Sequence, residues 1–176
     1  MRILVVGMGL IGGSICKSIK AATSHAVYGC DVQQAVLDDA IADGAIDGTG
    51  TMTDGTYDMI ILCLHQRIAI QMVQEALPKI PAGTILVDTC GLKGRMVRDL
   101  TYRCRKAGVR YVGTHPMAGR EKNGYYASIP NLFQNANLIV TPVDGTDEAA
   151  LDTVKELADQ MGFGKIVTAT PMWHDN

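Results

Sequence analysis

The sequence lacks a strong excess of either charge. Its 176 residues include 16 Lys and Arg against 18 Asp and Glu, a formal net charge of −2 at pH 7. The densest basic stretch, 95–106, is typical of the solvent-facing side of a helix. This balance disfavours nucleic acid or an acidic membrane surface as a partner. No apolar run approaches the ~20 residues that a membrane-spanning helix needs, so we expect no nucleic-acid partner and no membrane.

Cys-x-x-Cys pairs are absent too, and the five cysteines are an odd number. Most of them lie in apolar runs, and this position indicates small, buried hydrophobic residues. They are Cys16, Cys30, Cys63, Cys90 and Cys104. We therefore predict a reducing, cytoplasmic location and no metal site.

What the sequence does contain begins with a glycine pattern. Residues 2–6 (RILVV) predict a buried parallel strand. Gly7, Gly9 and Gly12 then follow as G-x-G-x-x-G. In this pattern the first glycine permits a tight turn, the second lets the backbone approach a pyrophosphate, and the third lets the helix pack closely on the strand. The opening residues therefore predict a dinucleotide-binding turn.

A helix and an acid complete this unit. The helix begins near Leu10 and Ile11, and its N-terminal amides and positive dipole end favour a phosphate. A second strand, 26–30, runs into Asp31, at the place where a ribose-binding acid is expected. A carboxylate accepts from the 2′-OH of NAD and repels the 2′-phosphate of NADP. A lone glycine pattern is weak evidence, but in this context it predicts NAD as the cofactor.

Strands and helices alternate along the rest of the chain. Apolar strands are predicted at 58–65, 83–88, 110–116, 137–142 and 165–170, helices at 33–43, 66–77, 93–108 and 147–161, and loops at 47–57 and 116–136. The length allows one domain or slightly more. The alternation predicts an α/β fold of the Rossmann type, doubly wound, with a mostly parallel sheet and helices on both faces.

Ligands of such a sheet bind beyond the carboxyl ends of its strands. Leu64 and His65 end one predicted strand and are expected to border the cofactor. His115 ends another, before Pro116 and a glycine-containing loop. An imidazole there can hydrogen-bond a substrate hydroxyl and accept its proton as a hydride leaves the carbon. Position alone leaves a structural histidine as the alternative.

Five stretches resemble the nucleotide-binding domain of prephenate dehydrogenases. They are GMGLIGGS (7–14), YGCD (28–31), LCLH (62–65), VDTCGLKG (87–94) and THPMAGREKNG (114–124). The last two are the most specific, and the resemblance covers essentially the whole chain in order. Members of the family oxidatively decarboxylate prephenate to 4-hydroxyphenylpyruvate on the route to tyrosine, and a close branch acts on arogenate instead.

The resemblance implies roles for several residues. His115 would be the catalytic residue, hydrogen-bonding and polarising the ring hydroxyl. Gly91, Lys93 and Glu121 would face the substrate, with Lys93 near a carboxylate and Glu121 at the mouth of the pocket. The two charged residues could equally be ordinary surface charges. Many members carry a serine where this chain has Gly91, and either neighbour, Thr89 or Cys90, is a possible substitute for it.

The resemblance also implies a domain boundary. Residues 1–170 would form the NAD-binding domain, and 171–176, with the family's His-Asp pair at His174 and Asp175, the start of a C-terminal helical domain. That second domain, absent from this sequence, forms the family's homodimer and supplies further substrate contacts. Apolar side chains that it would cover are expected to be exposed: Ile166, Val167, Met172 and Trp173. Two functions remain open, a prephenate (or arogenate) dehydrogenase and a non-catalytic NAD-binding module.

Overall fold

Eight strands form a single sheet in the computed structural model, which describes residues 1–176. The strands are β1 (Arg2–Val6), β2 (Ala26–Cys30), β3 (Gly48–Thr49), β4 (Met59–Leu62), β5 (Ile85–Asp88), β6 (Arg110–Met117), β7 (Asn137–Val140) and β8 (Lys165–Thr168). The helices are α1 (Leu10–Ala22), α2 (Gln34–Ala42), α3 (Gln66–Ala76), α4 (Gly94–Lys106), α5 (Glu148–Gln160) and α6 (Pro171–Asp175). The strand order is β3-β2-β1-β4-β5-β6-β7-β8.

The predicted Rossmann-type fold is confirmed. Strands β1 to β6 all pair in parallel, whereas β7 pairs antiparallel to β6 and β8 follows β7 in parallel. The reversal was not evident from the alternation of strands and helices. It arises because the segment between β6 and β7 contains no α-helix, and a parallel neighbour would need such a crossover.

Two hydrophobic cores cover the two faces of the sheet. Successive side chains of a strand point to opposite faces, so Ile3 and Val5 of β1 enter one core while Leu4 and Val6 enter the other. The first core comprises 26 buried residues and includes α1, α2 and α5; the second comprises 20 and includes α3 and α4. Both cores hold the strand ends in place, so the loops that follow them start from fixed positions.

Two predicted loops contain more structure than expected. The 47–57 loop includes β3, whose two residues pair with Tyr28 and Gly29 of β2. A two-residue strand is too short for apolar alternation, so its sequence carries no strand signal. The 116–136 loop includes a 3₁₀ turn at Tyr125–Ala127, and the Tyr125 hydroxyl donates to Asp43 Oδ2 over 2.7 Å.

The apolar surface expected near the C terminus is only partly present. Met172 and Trp173 of α6 are 77% and 66% exposed, as expected. Ile166 and Val167 are half-buried instead, and Ile166 packs against the first core. This corrects the expectation for β8, because the neighbouring strand and the core beneath it already cover part of these side chains. No helix has the length and apolar character needed to cross a membrane.

Candidate active site

The glycine turn connects β1 to α1 at the point where the strand order changes direction. Gly7 has φ of +94°, and a Cβ atom on it would lie 2.4 Å from the carbonyl oxygen of Cys63. A Cβ on Gly12 would lie 1.8 Å from the carbonyl oxygen of Gly7. Both glycines are therefore required by the packing of the turn. Gly9 differs, because a Cβ there would have no atom within 4 Å and would project into open space.

The first turn of α1 is free to bind an anion. Gly9 is its N-cap and supplies no side-chain hydrogen bond. The first backbone bond of the helix runs from the Gly13 N–H to the Gly9 carbonyl over 2.9 Å, so the N–H groups of Leu10 and Ile11 have no partner within the helix. Unpaired N–H groups and the positive end of the dipole together favour a phosphate at this position.

Asp31 ties the end of β2 to the glycine turn. Its Oδ2 accepts from the Met8 N–H over 2.8 Å, and its Oδ1 accepts from the Gln33 N–H over 2.9 Å. This contact with the turn was not anticipated from the sequence. A carboxylate has about four acceptor sites, so Asp31 retains capacity for a ribose hydroxyl.

Leu64 and His65 follow β4 on the other side of the turn. The Leu64 Cδ2 atom would be 2.9 Å from a Cβ on Gly7, which places Leu64 directly against the turn. His65 is the exposed N-cap of α3 and makes no capping hydrogen bond. The two residues thus border the crevice between β1 and β4, which is the ligand-binding position of a doubly wound sheet.

A buried polar cluster lies beyond β5. Asp88 and Lys93 have fully buried side chains and form an ion pair. The Lys93 ammonium also donates to the Thr114 carbonyl over 2.7 Å. The Asp88 carboxylate accepts from the Tyr111 hydroxyl over 2.6 Å and from the Cys90 N–H over 3.0 Å. Burial, together with the nearby Asp88 charge, raises the pKa of Tyr111, so that its hydroxyl stays a donor.

The burial of Lys93 corrects both sequence interpretations of this residue. Its ammonium is inside the protein, so it can neither contact a substrate carboxylate nor act as a surface charge. Lys93 lies in the loop after β5, and its ammonium bonds to Asp88 of β5 and to the carbonyl of Thr114 of β6. Thr114 is the residue before His115, so the lysine connects this loop to the strand that carries the histidine. It therefore holds Gly91 and His115 in a fixed relation.

His115 is half-buried on β6 with its two ring nitrogens in different surroundings. Its Nδ1 lies 2.9 Å from His174 Nε2. Its Nε2 would lie 3.6 Å from a Cβ on Gly91, and no side chain bonds to this nitrogen. Burial lowers the pKa of His115, and the charges of His174 and Lys93 lower it further. The ring is therefore held in its neutral form, with one nitrogen open toward the Gly91 loop.

Thr89 and Cys90, the possible substitutes for a serine at position 91, do not direct their side chains toward His115. The Thr89 hydroxyl donates to the Leu62 carbonyl over 3.0 Å, and the Cys90 thiol donates to the Leu64 carbonyl over 3.3 Å. Burial raises the pKa of Cys90 to about 12, so this thiol remains protonated. Both groups point toward β4, and the side of His115 that faces Gly91 has no hydroxyl.

The C-terminal helix α6 brings two more residues to His115. His174 Nδ1 lies 2.8 Å from Asp175 Oδ1. Asp175 also accepts from the Lys93 N–H over 2.8 Å and from the Gly94 N–H over 2.7 Å. The sequence suggested this His-Asp pair only as the start of a further domain. Its contact with His115 spans 59 residues of chain and carries no local signal.

Glu121 lies apart from these contacts. It is exposed in the loop after β6, and its carboxylate accepts no hydrogen bond. Its neighbour Arg120 is fixed, since its Nη1 donates to the Ala127 carbonyl over 2.6 Å. No group of three or more His, Cys, Asp and Glu side chains could hold a metal ion.

The fold, the open glycine turn and the free helix terminus define this protein as a nucleotide-binding α/β domain. A family model described as "Prephenate dehydrogenase, nucleotide-binding domain" matches residues 15–168. The chain therefore belongs to the prephenate dehydrogenase family through its nucleotide-binding domain.

Individual relatives agree with this assignment. The chain is 29% identical to the prephenate dehydrogenase of Bacillus subtilis over 98% of its own length and 47% of that protein. It superimposes on the prephenate dehydrogenase of A. aeolicus, solved with hydroxyphenyl propionate and NAD+, with a TM-score of 0.90 and 29% identity, over 99% of this chain and 62% of that one. Synechocystis arogenate dehydrogenase gives a TM-score of 0.90 at 27% identity, with coverage of 99% and 62%. The chain spans 40% to 60% of the length of the curated relatives it matches.

Proposed function

We propose that this chain is the NAD-binding part of a dehydrogenase that converts prephenate to 4-hydroxyphenylpyruvate in tyrosine biosynthesis. The observation that carries the proposal is the open Nε2 of His115 at the same edge of the sheet as the glycine turn. The relatives from Bacillus subtilis and A. aeolicus, both called prephenate dehydrogenases, support it.

The residues of the glycine turn fit NAD. The pyrophosphate would lie against Gly9 and the N–H groups of Leu10 and Ile11, where no side chain intervenes. Asp31 would accept from the ribose hydroxyls with its remaining lone pairs, and its charge would exclude the 2′-phosphate of NADP. Leu64 and His65 would form the wall on the side of β4. When bound, the nicotinamide supplies the hydride acceptor.

His115 would act as the base. Its Nε2 would accept the proton of the ring hydroxyl as the hydride of the same carbon leaves for the nicotinamide, which gives a ring ketone. The electrons of the bond to the ring carboxylate then move into the ring, CO₂ is released, and the aromatic oxygen takes the proton back from His115. Gly91 leaves room beside Nε2 for that hydroxyl. Lys93, as a positioning residue, would hold the Gly91 loop against β6. Glu121 would border the entrance of the pocket.

Arogenate is the alternative substrate. The observation that favours it is the structural similarity to Synechocystis arogenate dehydrogenase. Both substrates present the same ring hydroxyl to His115 and differ in the side chain, so the residues described above would serve either one. The two are distinguished by measuring NAD reduction with each in turn.

The proposal also covers the domain organisation of the enzyme and its location in the cell. Residues 1–170 would be the NAD-binding domain, and 171–176 the start of a helical domain through which the family forms homodimers. The exposure of Met172 and Trp173 supports a surface that is covered in a larger assembly. Five free cysteines support a reducing cytoplasm as the location.

A calorimetric titration with NAD tests the cofactor site. We expect Gly9→Ala to weaken NAD binding by at least ~10-fold, because its methyl group would occupy the space beside the pyrophosphate. Its melting temperature should stay the same, since that methyl group meets no protein atom. Gly119→Ala is the matched control, because it also adds a methyl group in open space but outside the turn. Equal NAD affinity in all three proteins would contradict the assignment.

The catalytic role is tested with His115→Asn. Whatever rate of NAD reduction the chain shows with prephenate should fall roughly 10²–10⁴-fold in the variant, the usual contribution of a general base. Its NAD affinity should remain unchanged. An equal loss of rate and of NAD affinity would instead mean that His115 is structural.

A further inference from the structure

We propose that Asp175 and His174 act as positioning residues that hold His115 in the tautomer with its proton on Nδ1. This tautomer leaves a lone pair on Nε2, directed at the space beside Gly91. The inference deepens the proposed function, on which it rests for the substrate, while the arrangement of protons follows from the structure itself.

The Asp175 carboxylate is anchored as an acceptor. It receives the N–H groups of Lys93 and Gly94 at the start of α4, where the helix dipole also favours a negative charge. Partial burial acts in the opposite direction, but the hydrogen bonds from Lys93, His174 and Gly94 lower the pKa of Asp175. A Cβ on Gly94 would lie 2.9 Å from Asp175 Oδ2, so a larger residue at this position would displace the carboxylate. An ionised carboxylate can accept hydrogen bonds but cannot donate them.

This anchor determines the proton position on His174. Its Nδ1 lies 2.8 Å from Asp175 Oδ1, so Nδ1 must carry the proton. In a neutral imidazole the other nitrogen is then an acceptor, and here that nitrogen is Nε2. The side chain of His174 is only 6% exposed, so burial holds the ring in this orientation.

The proton position on His115 follows from that on His174. Its Nδ1 lies 2.9 Å from the acceptor Nε2 of His174, so Nδ1 of His115 is the donor. The neutral His115 ring then has no proton on Nε2. The titratable and charged groups near the ring are His174, Lys93, Asp88 and Asp175, and none of them bonds to Nε2. That nitrogen is therefore ready to accept a proton from a ligand.

The consequence for catalysis is large. A base that carries its proton on the wrong nitrogen cannot accept one from the substrate. In the Ser-His-Asp triad, loss of the carboxylate that sets the tautomer lowers kcat by roughly 10⁴. The contacts from Asp175 through His174 would supply the same control here, by way of an additional imidazole.

Nitrogen-15 NMR of the full chain reads the tautomer directly, without substrate. At about pH 8, above the ordinary imidazole pKa of ~6.5, we expect His115 to show a protonated Nδ1 and an unprotonated Nε2. His174→Phe keeps a ring at position 174 but removes its nitrogens, so the variant should show a mixture of both tautomers. His174→Gln offers an oxygen acceptor and should restore part of the wild-type signal. A wild-type His115 protonated at Nε2, or a spectrum unchanged in His174→Phe, would overturn the proposal.

Kinetics provide the second measurement. We expect His174→Phe to lower kcat by roughly 10–10²-fold, a smaller effect than locking the wrong tautomer. NAD affinity should not change, and His174→Gln should recover part of the rate. A tautomer shift in a chain that neither binds NAD nor reduces it with prephenate would refute the proposed function and support this inference. If NAD reduction depends on His115 but the His115 spectrum does not change in His174→Phe, the proposed function is supported and this inference is refuted.

Discussion

Two regions at one edge of the sheet are built on different principles. The cofactor region, residues 7–31, uses backbone N–H groups and glycines, and all its parts lie within one βαβ unit. The proposed catalytic region uses side chains at 88–93, 115 and 174–175, brought together from β5, the loop that follows it, β6 and α6. A site made of backbone needs only the correct turn, whereas a site made of side chains needs the whole fold.

The carboxylates of the two regions show the same contrast. Asp31 is half-buried, accepts two backbone N–H groups and keeps lone pairs for a ligand. Asp88 is fully buried and receives Lys93, Tyr111 and Cys90. The first carboxylate is therefore available to a ligand, and the second serves only to hold the protein together. Three measurements test this difference between the two carboxylates and the regions to which they belong.

The largest effect is expected from Lys93→Met. Removing the lysine leaves the Asp88 charge buried without its cation, which should lower the free energy of unfolding by about 3–5 kcal/mol. Urea denaturation followed by circular dichroism measures this loss. The rate of NAD reduction should fall as well, because the Gly91 loop loses its tie to β6.

A solvent-exposed ion pair provides the matched control. Lys20 and Asp47 also form one, with side chains 31% and 39% exposed. Lys20→Met should therefore cost only about 0–1 kcal/mol. The double variant Asp88→Asn/Lys93→Met should recover part of the loss, because it no longer buries an unpaired charge. A loss in Lys93→Met no larger than in Lys20→Met would show that the buried pair contributes nothing to stability.

The second-largest effect is expected from Asp31→Asn. This variant separates the contact of Asp31 with the ribose from its contact with Met8 in the glycine turn. Asp31→Asn removes the charge, and a hydrogen bond to a charged group contributes about 1.5–3 kcal/mol, so NAD affinity should fall roughly 10–100-fold. NADP should be affected less, because its 2′-phosphate is no longer repelled. Titration with both nucleotides measures the change in preference. An equal loss for both would show that Asp31 acts only through its contact with Met8 in the turn.

The difference between a site built from backbone and a site built from distant side chains also determines which features the sequence predicts. The fold class and the glycine turn were predictable, because Gly7, Gly12 and the apolar strands each meet a local backbone requirement. The reversal of β7 and β8 was not, because strand direction depends on a connection whose sequence shows no helix pattern. Local constraints can be recognised in a sequence, and spatial ones require the structure.

Lys93 and His174 show the same limit within the site. A lysine at the start of a helix is usually exposed, and only the position of Asp88 beneath it makes burial favourable. His174 lies far along the chain from His115, and no spacing rule connects them. Resemblance to a family identified both stretches, but it gave Lys93 a contact with the substrate that its burial rules out.

The smallest effect is the pH dependence of His115. Burial, with the charges of His174 and Lys93, lowers its pKa from 6.5 in the folded chain, so the unfolded chain binds more protons just below pH 6.5. Stability from this group is therefore fully present above pH 6.5 and is lost as the pH falls through the folded pKa. The pH at which the rate of NAD reduction is half-maximal should likewise lie below 6.5, since the neutral ring is the base. An NMR titration of His115 in the folded and the urea-unfolded chain measures the shift. NAD affinity should not depend on the protonation of His115, because the glycine turn binds through backbone amides that do not titrate. His115→Asn should therefore leave the pH profile of NAD affinity unchanged, and an altered profile would mean that the two regions are not independent.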